Sequence, residues 1–144
     1  MQYSKHTAWA IAVAFFGTVL VGSSTLVMDA AQKTSKDAVF SAAQAKRGEA
    51  LYKDQCVSCH SADLSGGGAP QLAGSDFMGF WDKTPVLDLV TKIKDSMPAS
   101  SPGSLNKQQA MDLASFILLS NKFPAGSADL PTDDSALKSI TIAK

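Results

Sequence analysis

The chain divides into one long apolar run near the N-terminus and a polar remainder with helical periodicity. Residues 7–28 contain no charged side chain and are mostly apolar. This run is long enough to span a bilayer as a helix. A signal peptide is the alternative, although its apolar core is usually shorter and no clear A-x-A cleavage site follows here. We predict a transmembrane anchor or signal peptide at residues 1–28, with the missing site favouring an anchor, and a small, polar, partly helical tether at 29–44.

Apolar residues at helical spacing predict three helices in the remainder. The first is a short helix over residues 46–55. A second begins at Thr84-Pro85, with Thr84 as its cap, and Pro98 ends it. Asn106 and Gln109 have the spacing of a capping box for the third helix. The buried stripe of that helix is predicted to be Ala110, Leu113, Ala114, Ile117 and Leu118.

Glycines mark two further features of this pattern. Gly48 lies inside the first predicted helix, where glycine is less stable than alanine. Its presence indicates that another backbone passes close by, and a tolerated surface position is the alternative. The run Gly66–Gly68 predicts an irregular loop. That loop lacks the G-x-x-x-x-G-K-[ST] pattern of a phosphate-binding site.

Length and charge narrow the possible functions. With 144 residues, the chain is one domain plus additional segments. Basic and acidic residues number 13 each, so the formal net charge is zero. This balance provides no electrostatic case for binding nucleic acid.

The strongest chemical signal is the pentapeptide Cys56-Val57-Ser58-Cys59-His60. C-x-x-C-H is the attachment pattern of a c-type haem, in which the two thiols form thioethers and the histidine binds the iron. A thioredoxin-like dithiol would need a βαβ setting, and no such pattern is visible. A structural zinc site needs four sulfur or nitrogen ligands, but the chain has two cysteines and one other histidine, His6. We therefore predict that Cys56 and Cys59 carry one covalent haem c, with His60 as its proximal ligand.

The second axial ligand and the orientation of the histidine follow from the same prediction. Three methionines are candidates for the distal position: Met78, Met97 and Met111. Met97 precedes a proline and a loop at the end of a predicted helix and is the preferred ligand, while Met78, in the aromatic stretch FMGFW, is the main rival. The glycine-rich loop is expected to wrap the porphyrin edge. Within it, the Pro70 carbonyl is placed to accept a hydrogen bond from the far nitrogen of His60.

Residues 46–124 resemble a class I bacterial cytochrome c. The matching elements are Gly48, Leu51-Tyr52, the C-x-x-C-H motif, Ala69-Pro70-x-Leu72-x-Gly74, Met97-Pro98, Pro102-Gly103-x-Leu105 and the last helix with Phe116. The resemblance implies an all-α fold wrapped around one haem. It also implies that the first and last helices cross at Gly48 and Phe116, with His60 and Met97 as the axial ligands.

A weaker resemblance links the chain to the haem domains that accept electrons from quinoprotein dehydrogenases, through Met97–Leu105 and Phe123–Pro131. We expect a domain at 45–124 and an extended C-terminal strap at 125–144. Because c-type haem is attached outside the bacterial inner membrane, the domain is expected to face the periplasm, either anchored or soluble after cleavage.

Two classes of function remain open. The first is an electron carrier without enzymatic activity or a small-molecule substrate. Its partners would be redox proteins such as a quinoprotein dehydrogenase, a respiratory complex or a terminal oxidase. The second is a haem enzyme or gas sensor with a labile distal methionine. A filled sixth position favours the carrier, since it leaves no site for a substrate.

Overall fold

A computed structural model describes residues 32–144, and these residues form a helical domain without β-strands. The helices are α1 (Ala42–Gln55), α2 (Val57–His60), α3 (Ser75–Trp81), α4 (Val86–Ser96), α5 (Lys107–Ser120) and α6 (Asp134–Lys138). The all-α prediction is confirmed for this part of the chain. None of the helices within 32–144 is long and apolar enough to cross a membrane. The predicted N-terminal anchor lies outside the described residues.

Helices α1 and α5 cross at Gly48, as the sequence predicts. A Cβ atom built on Gly48 would lie 1.8 Å from the Asp112 carbonyl oxygen and 2.9 Å from Cβ of Phe116. Real Cβ atoms do not approach a backbone oxygen so closely, so a side chain here would force the helices apart. The bidentate ion pair between Arg47 and Asp112, with both nitrogen–oxygen distances at 3.0 Å, fixes the same crossing.

Helix α1 begins at Ala42, four residues before the predicted start. Of the two predicted N-caps, one is correct and the other is wrong. Asn106 and Gln109 form the capping box of α5, and each side chain pairs with the backbone N–H of the other residue at 2.9 Å. Thr84 does not cap α4, because Pro85 occupies the N-cap position. The Thr84 hydroxyl instead donates to the Trp81 carbonyl oxygen at 2.8 Å, which closes the turn after α3.

Residues 33–41 and 140–143 make backbone contacts at one end of the domain: residues 33–35 pair with Thr141, and Phe40 pairs with Gly126. We call residues 33–41 and 140–143 together the terminal clamp. The backbone N–H of Ser35 donates to the Thr141 carbonyl oxygen at 2.8 Å, and that of Thr141 donates to the Lys33 carbonyl oxygen at 3.0 Å. The Ile142 carbonyl oxygen accepts from the backbone N–H of Lys83 at 2.7 Å, next to the start of α4. The clamp is therefore joined to the helices through backbone hydrogen bonds.

The terminal clamp corrects the predictions of a tether and a surface strap over the described residues. Phe40, expected in a polar tether, is fully buried. The expected strap contains α6 and contributes four residues to the core, which are Leu130, Leu137, Ile140 and Ile142. These segments fold because their apolar side chains are buried in the core. Small and polar residues predominate around them in the sequence, which is why a tether and a strap are predicted.

Candidate haem site

The predicted site residues surround one cavity of about 590 Å³ between the helices. They are Cys56, Cys59, His60, Pro70 and Met97. They come from the end of α1, from α2, from the glycine-rich loop and from the end of α4. The structure thus brings together groups that are up to 41 positions apart in the chain (97 − 56).

The two cysteines and the histidine are arranged by one tight turn. The carbonyl oxygen of Cys56 accepts from the backbone N–H of Cys59 at 3.1 Å and from that of His60 at 2.9 Å. Burial, with a smaller contribution from Cys59, raises the pKa of the Cys56 thiol to about 11. Reactive dithiols have lowered pKa values, so this environment does not suit a thioredoxin-like function.

The imidazole of His60 is held by a backbone carbonyl. Its Nδ1 lies 2.8 Å from the Pro70 carbonyl oxygen, and the residue is 9% exposed. With the proton on Nδ1, the ring donates to Pro70 and keeps Nε2 as the free basic nitrogen. Ligating histidines in proteins are oriented by this kind of contact. The predicted pairing of His60 with Pro70 is therefore present in the geometry.

The three candidate methionines occupy different places. Met97 lines the cavity, and its backbone N–H donates to the Ile93 carbonyl oxygen at 3.0 Å, closing the last turn of α4. Met78 borders a separate depression near Asn121 and Lys122. Met111 is buried within the core and does not line the cavity. The geometry favours Met97 over its rivals.

Most of the cavity wall is apolar or aromatic, which suits a porphyrin face. The three aromatic residues of the FMGFW stretch line the cavity, whereas Met78 and Gly79 do not, and α5 adds part of its buried stripe. The large aromatic and aliphatic lining residues are Tyr52, Leu72, Phe77, Phe80, Trp81, Leu89, Ile93, Leu113 and Ile117. Two thiols, one oriented imidazole and one thioether thus face a cavity with apolar walls, and this donor set fits a covalently bound haem.

Sequence reasoning missed two residues beside the site. Tyr52 enters the sequence analysis only as part of the cytochrome resemblance, but its hydroxyl donates to the Ser61 carbonyl oxygen at 2.6 Å. Ser61 itself has a positive φ of 65°, which the sequence does not indicate. The aromatic residue four positions before Cys56 was the available signal for the first contact.

The helical fold and the thiol–imidazole–thioether cavity define a small c-type cytochrome domain. Residues 43–117, just over half of the chain, match the family described as "Cytochrome C oxidase, cbb3-type, subunit III". The chain belongs to this family of c-type cytochromes. It therefore binds haem c covalently and is an electron carrier, as the sequence predicted.

Other comparisons add the fold. The sulfane dehydrogenase SoxCD from Paracoccus pantotrophus contains a chain that is similar to this one, with a TM-score of 0.54 and 23% sequence identity. The match covers 68% of this chain and 52% of that chain, so this protein spans about half the length of its structural relative. At this identity the likeness shows the fold alone. A search of curated protein sequences finds no match.

Proposed function

We propose that this protein carries single electrons between redox proteins, with His60 and Met97 as the two axial ligands of its haem. The supporting observation is that both side chains line the cavity that the cysteines border. A bound haem supplies the iron that accepts and releases the electron. The residues of the chain would hold that iron six-coordinate, which leaves no open position for a substrate.

The protein contributes orientation and a dry environment to this function. Cys56 and Cys59 would fix the haem by two thioether bonds. The Pro70 carbonyl would keep the His60 ring in one orientation, and the ending of α4 at Met97 would bring the thioether into the same cavity. The apolar walls would limit water at the iron. Axial ligands and burial are the means by which a protein sets the potential of a haem.

The ligand assignment is tested by two matched methionine variants. Met97→Leu should remove the weak red charge-transfer band of the oxidised protein that thioether–iron ligation produces, and it should lower the reduction potential. Met78→Leu serves as the control and should leave both unchanged, since Met78 does not line the cavity. The reverse result would transfer the ligand role to Met78. Absence of the band in the unchanged protein, with ready binding of carbon monoxide, would favour a gas sensor or haem enzyme.

We propose that the redox partner is a quinoprotein dehydrogenase, a respiratory complex or a terminal oxidase. Basic and acidic residues are nearly equal in number from residue 46 onward, so strong electrostatic steering is not expected. We expect weak, transient docking through apolar surface around the haem edge. Phe80, which lines the cavity and is 74% exposed, provides such surface. Affinity capture from solubilised membranes, in the wild type and in Phe80→Ser, would test this: equal recovery of redox partners would exclude the Phe80 surface.

The proposed location is the periplasmic face of the inner membrane, with residues 7–28 as an anchor. Residues 7–28 carry no charge and are long enough to span a bilayer, and no good cleavage site follows them. Intact mass spectrometry of the haem-loaded protein decides between anchor and signal peptide. A membrane-fraction mass that includes residues 1–30 supports the anchor, whereas a shorter protein released by osmotic shock shows cleavage.

A further inference from the structure

The residue that follows the proximal histidine has an unusual backbone conformation. Ser61 has φ of 65° and ψ of 156°. Residues other than glycine rarely adopt a positive φ, and this combination lies at the edge of a region that is almost restricted to glycine. Such conformations persist only where the surrounding contacts hold them, and they are concentrated at functional sites. Because Ser61 directly follows His60, the contacts that hold Ser61 also restrict the position of His60.

Tyr52 provides the buried side-chain contact to this peptide. Its hydroxyl donates to the Ser61 carbonyl oxygen at 2.6 Å, and the residue is 1% exposed. The Tyr52 ring packs against Phe116, with the two centroids 5.1 Å apart. Burial raises the pKa of Tyr52 to about 12, so the hydroxyl remains a donor. The phenol is thus fixed at one end by the α1–α5 crossing and holds Ser61 at the other.

The opposite side of the turn is also closed by hydrogen bonds. The Ser61 hydroxyl donates to the Gly66 carbonyl oxygen. The Gly66 N–H donates to the His60 carbonyl oxygen at 3.1 Å. His60 therefore lies between two fixed points, the Ser61 peptide held by Tyr52 and the Pro70 carbonyl that accepts from its ring.

We propose that Tyr52 is a positioning residue for the proximal histidine: its hydroxyl holds the strained Ser61 peptide and thereby keeps the His60 ring hydrogen-bonded to Pro70. This inference rests on the proposed role of His60 as an iron ligand. A hydrogen bond from Nδ1 to a carbonyl increases the basicity of the ligating nitrogen. A firmly held ring thus donates more strongly to oxidised iron and lowers the reduction potential.

The test is Tyr52→Phe, which removes one hydroxyl and retains the ring against Phe116. We expect covalent haem and low-spin spectra as in the wild type, but a higher reduction potential. We also expect the His60 Nδ1 proton to exchange with solvent about tenfold faster by NMR, the effect of weakening one hydrogen bond. The matched control is Ser115→Ala, which removes another buried hydroxyl, one that donates to the Met111 carbonyl oxygen at 2.9 Å.

The control should leave the potential and the exchange rate unchanged. If Tyr52→Phe behaves like Ser115→Ala in both measurements, Tyr52 only packs and the proposal is wrong. A Ser61→Gly background removes the backbone strain, so Tyr52→Phe should have a smaller effect on the potential there; an equal effect would contradict the role of the strain. Failure of the underlying ligand assignment is distinguishable, because wild-type NMR would then show no iron-bound imidazole at residue 60.

Discussion

The haem cavity and the terminal clamp belong to one domain, but their residues are held in different ways. At the cavity, the key contacts are local: His60 bonds to a residue 10 positions away and Tyr52 to one 9 positions away. In the clamp, Ala143 bonds to the Ser35 hydroxyl across 108 positions. The cavity is formed by side chains around a binding space, whereas the clamp is formed by backbone pairing over a filled core.

The cavity residues therefore serve function, whereas the clamp residues serve the stability of the domain. The residues that would bind haem occupy short motifs, so their chemistry can change without rebuilding the domain. The clamp residues bury apolar surface, and none of them lines the cavity. Substitutions at the cavity should therefore change the reduction potential, and substitutions in the clamp should change only the stability. Substitutions at the crossing of α1 and α5 should affect both stability and haem binding.

The largest effect is expected at that crossing. Gly48→Leu would place a branched side chain against the Asp112 carbonyl oxygen, where even Cβ has no room. We expect an unfolding free energy lower by about 3 kcal/mol or more, since overpacking is costly, and a strongly reduced yield of haem-loaded protein. Chemical denaturation and the haem-to-protein absorbance ratio measure these two quantities.

Gly79→Ala is the control for this change. Gly79 also lies in a helix, but a Cβ atom there would meet nothing within 4 Å. This variant should gain about 0.5–1 kcal/mol from the better helix propensity of alanine. Equal behaviour of the Gly48 and Gly79 variants would show that the crossing tolerates separation.

The second effect distinguishes the two regions directly. Ile142→Ala in the clamp should cost about 2–5 kcal/mol of unfolding free energy, the usual range for a truncated core isoleucine, without changing the reduction potential. Leu113→Ala should have a similar cost, but because Leu113 lines the cavity, it should also shift the potential. Denaturation combined with protein-film voltammetry provides both values. A shift of potential in the Ile142 variant as large as that in the Leu113 variant would end the distinction.

The smallest effect concerns the charges that join the clamp to α1. Asp129 accepts from the Ser41 hydroxyl and from Arg47 Nη2, the latter at 2.6 Å. These two contacts, the hydroxyl first, lower the pKa of Asp129 from its ordinary value of 3.8. A carboxyl with a lowered pKa in the folded state stabilises the fold above pH 3.8 and loses this contribution as the pH falls below that value. Asp129→Asn should make stability less dependent on pH below 3.8, by less than either core substitution costs, because exposed ion pairs are weak. An unchanged pH profile would assign the acid sensitivity to other carboxyls.

Much of the cavity could be predicted from the sequence because the residues that carry its chemistry lie in short, recognisable motifs. The C-x-x-C-H motif, the Asn106 capping box and the interrupting Gly48 each carry a local physical signal. Met97 and Met78 are different, because a sequence does not show towards which side of a helix end a thioether points. The pairing of residues 33–35 with Thr141 also has no local signal, so the sequence alone predicts a tether and a strap for the residues of the clamp. The conformation of Ser61 depends on its contacts with Tyr52 and Gly66, so the sequence could not predict it either.

The terminal clamp has a consequence for the order in which the chain folds. Forming its pairs directly would close a loop of 108 residues, whereas the Arg47–Asp112 contact of the α1–α5 crossing closes 65. Once the crossing exists, the segments still to be brought together run only from 35 to 47 and from 112 to 143, so less loop-closure entropy remains to be lost than for the full 108 positions. The clamp is therefore expected to form last and to open first. Its backbone amides, such as those of Ser35 and Thr141, should exchange with deuterium before those in the middle of α5.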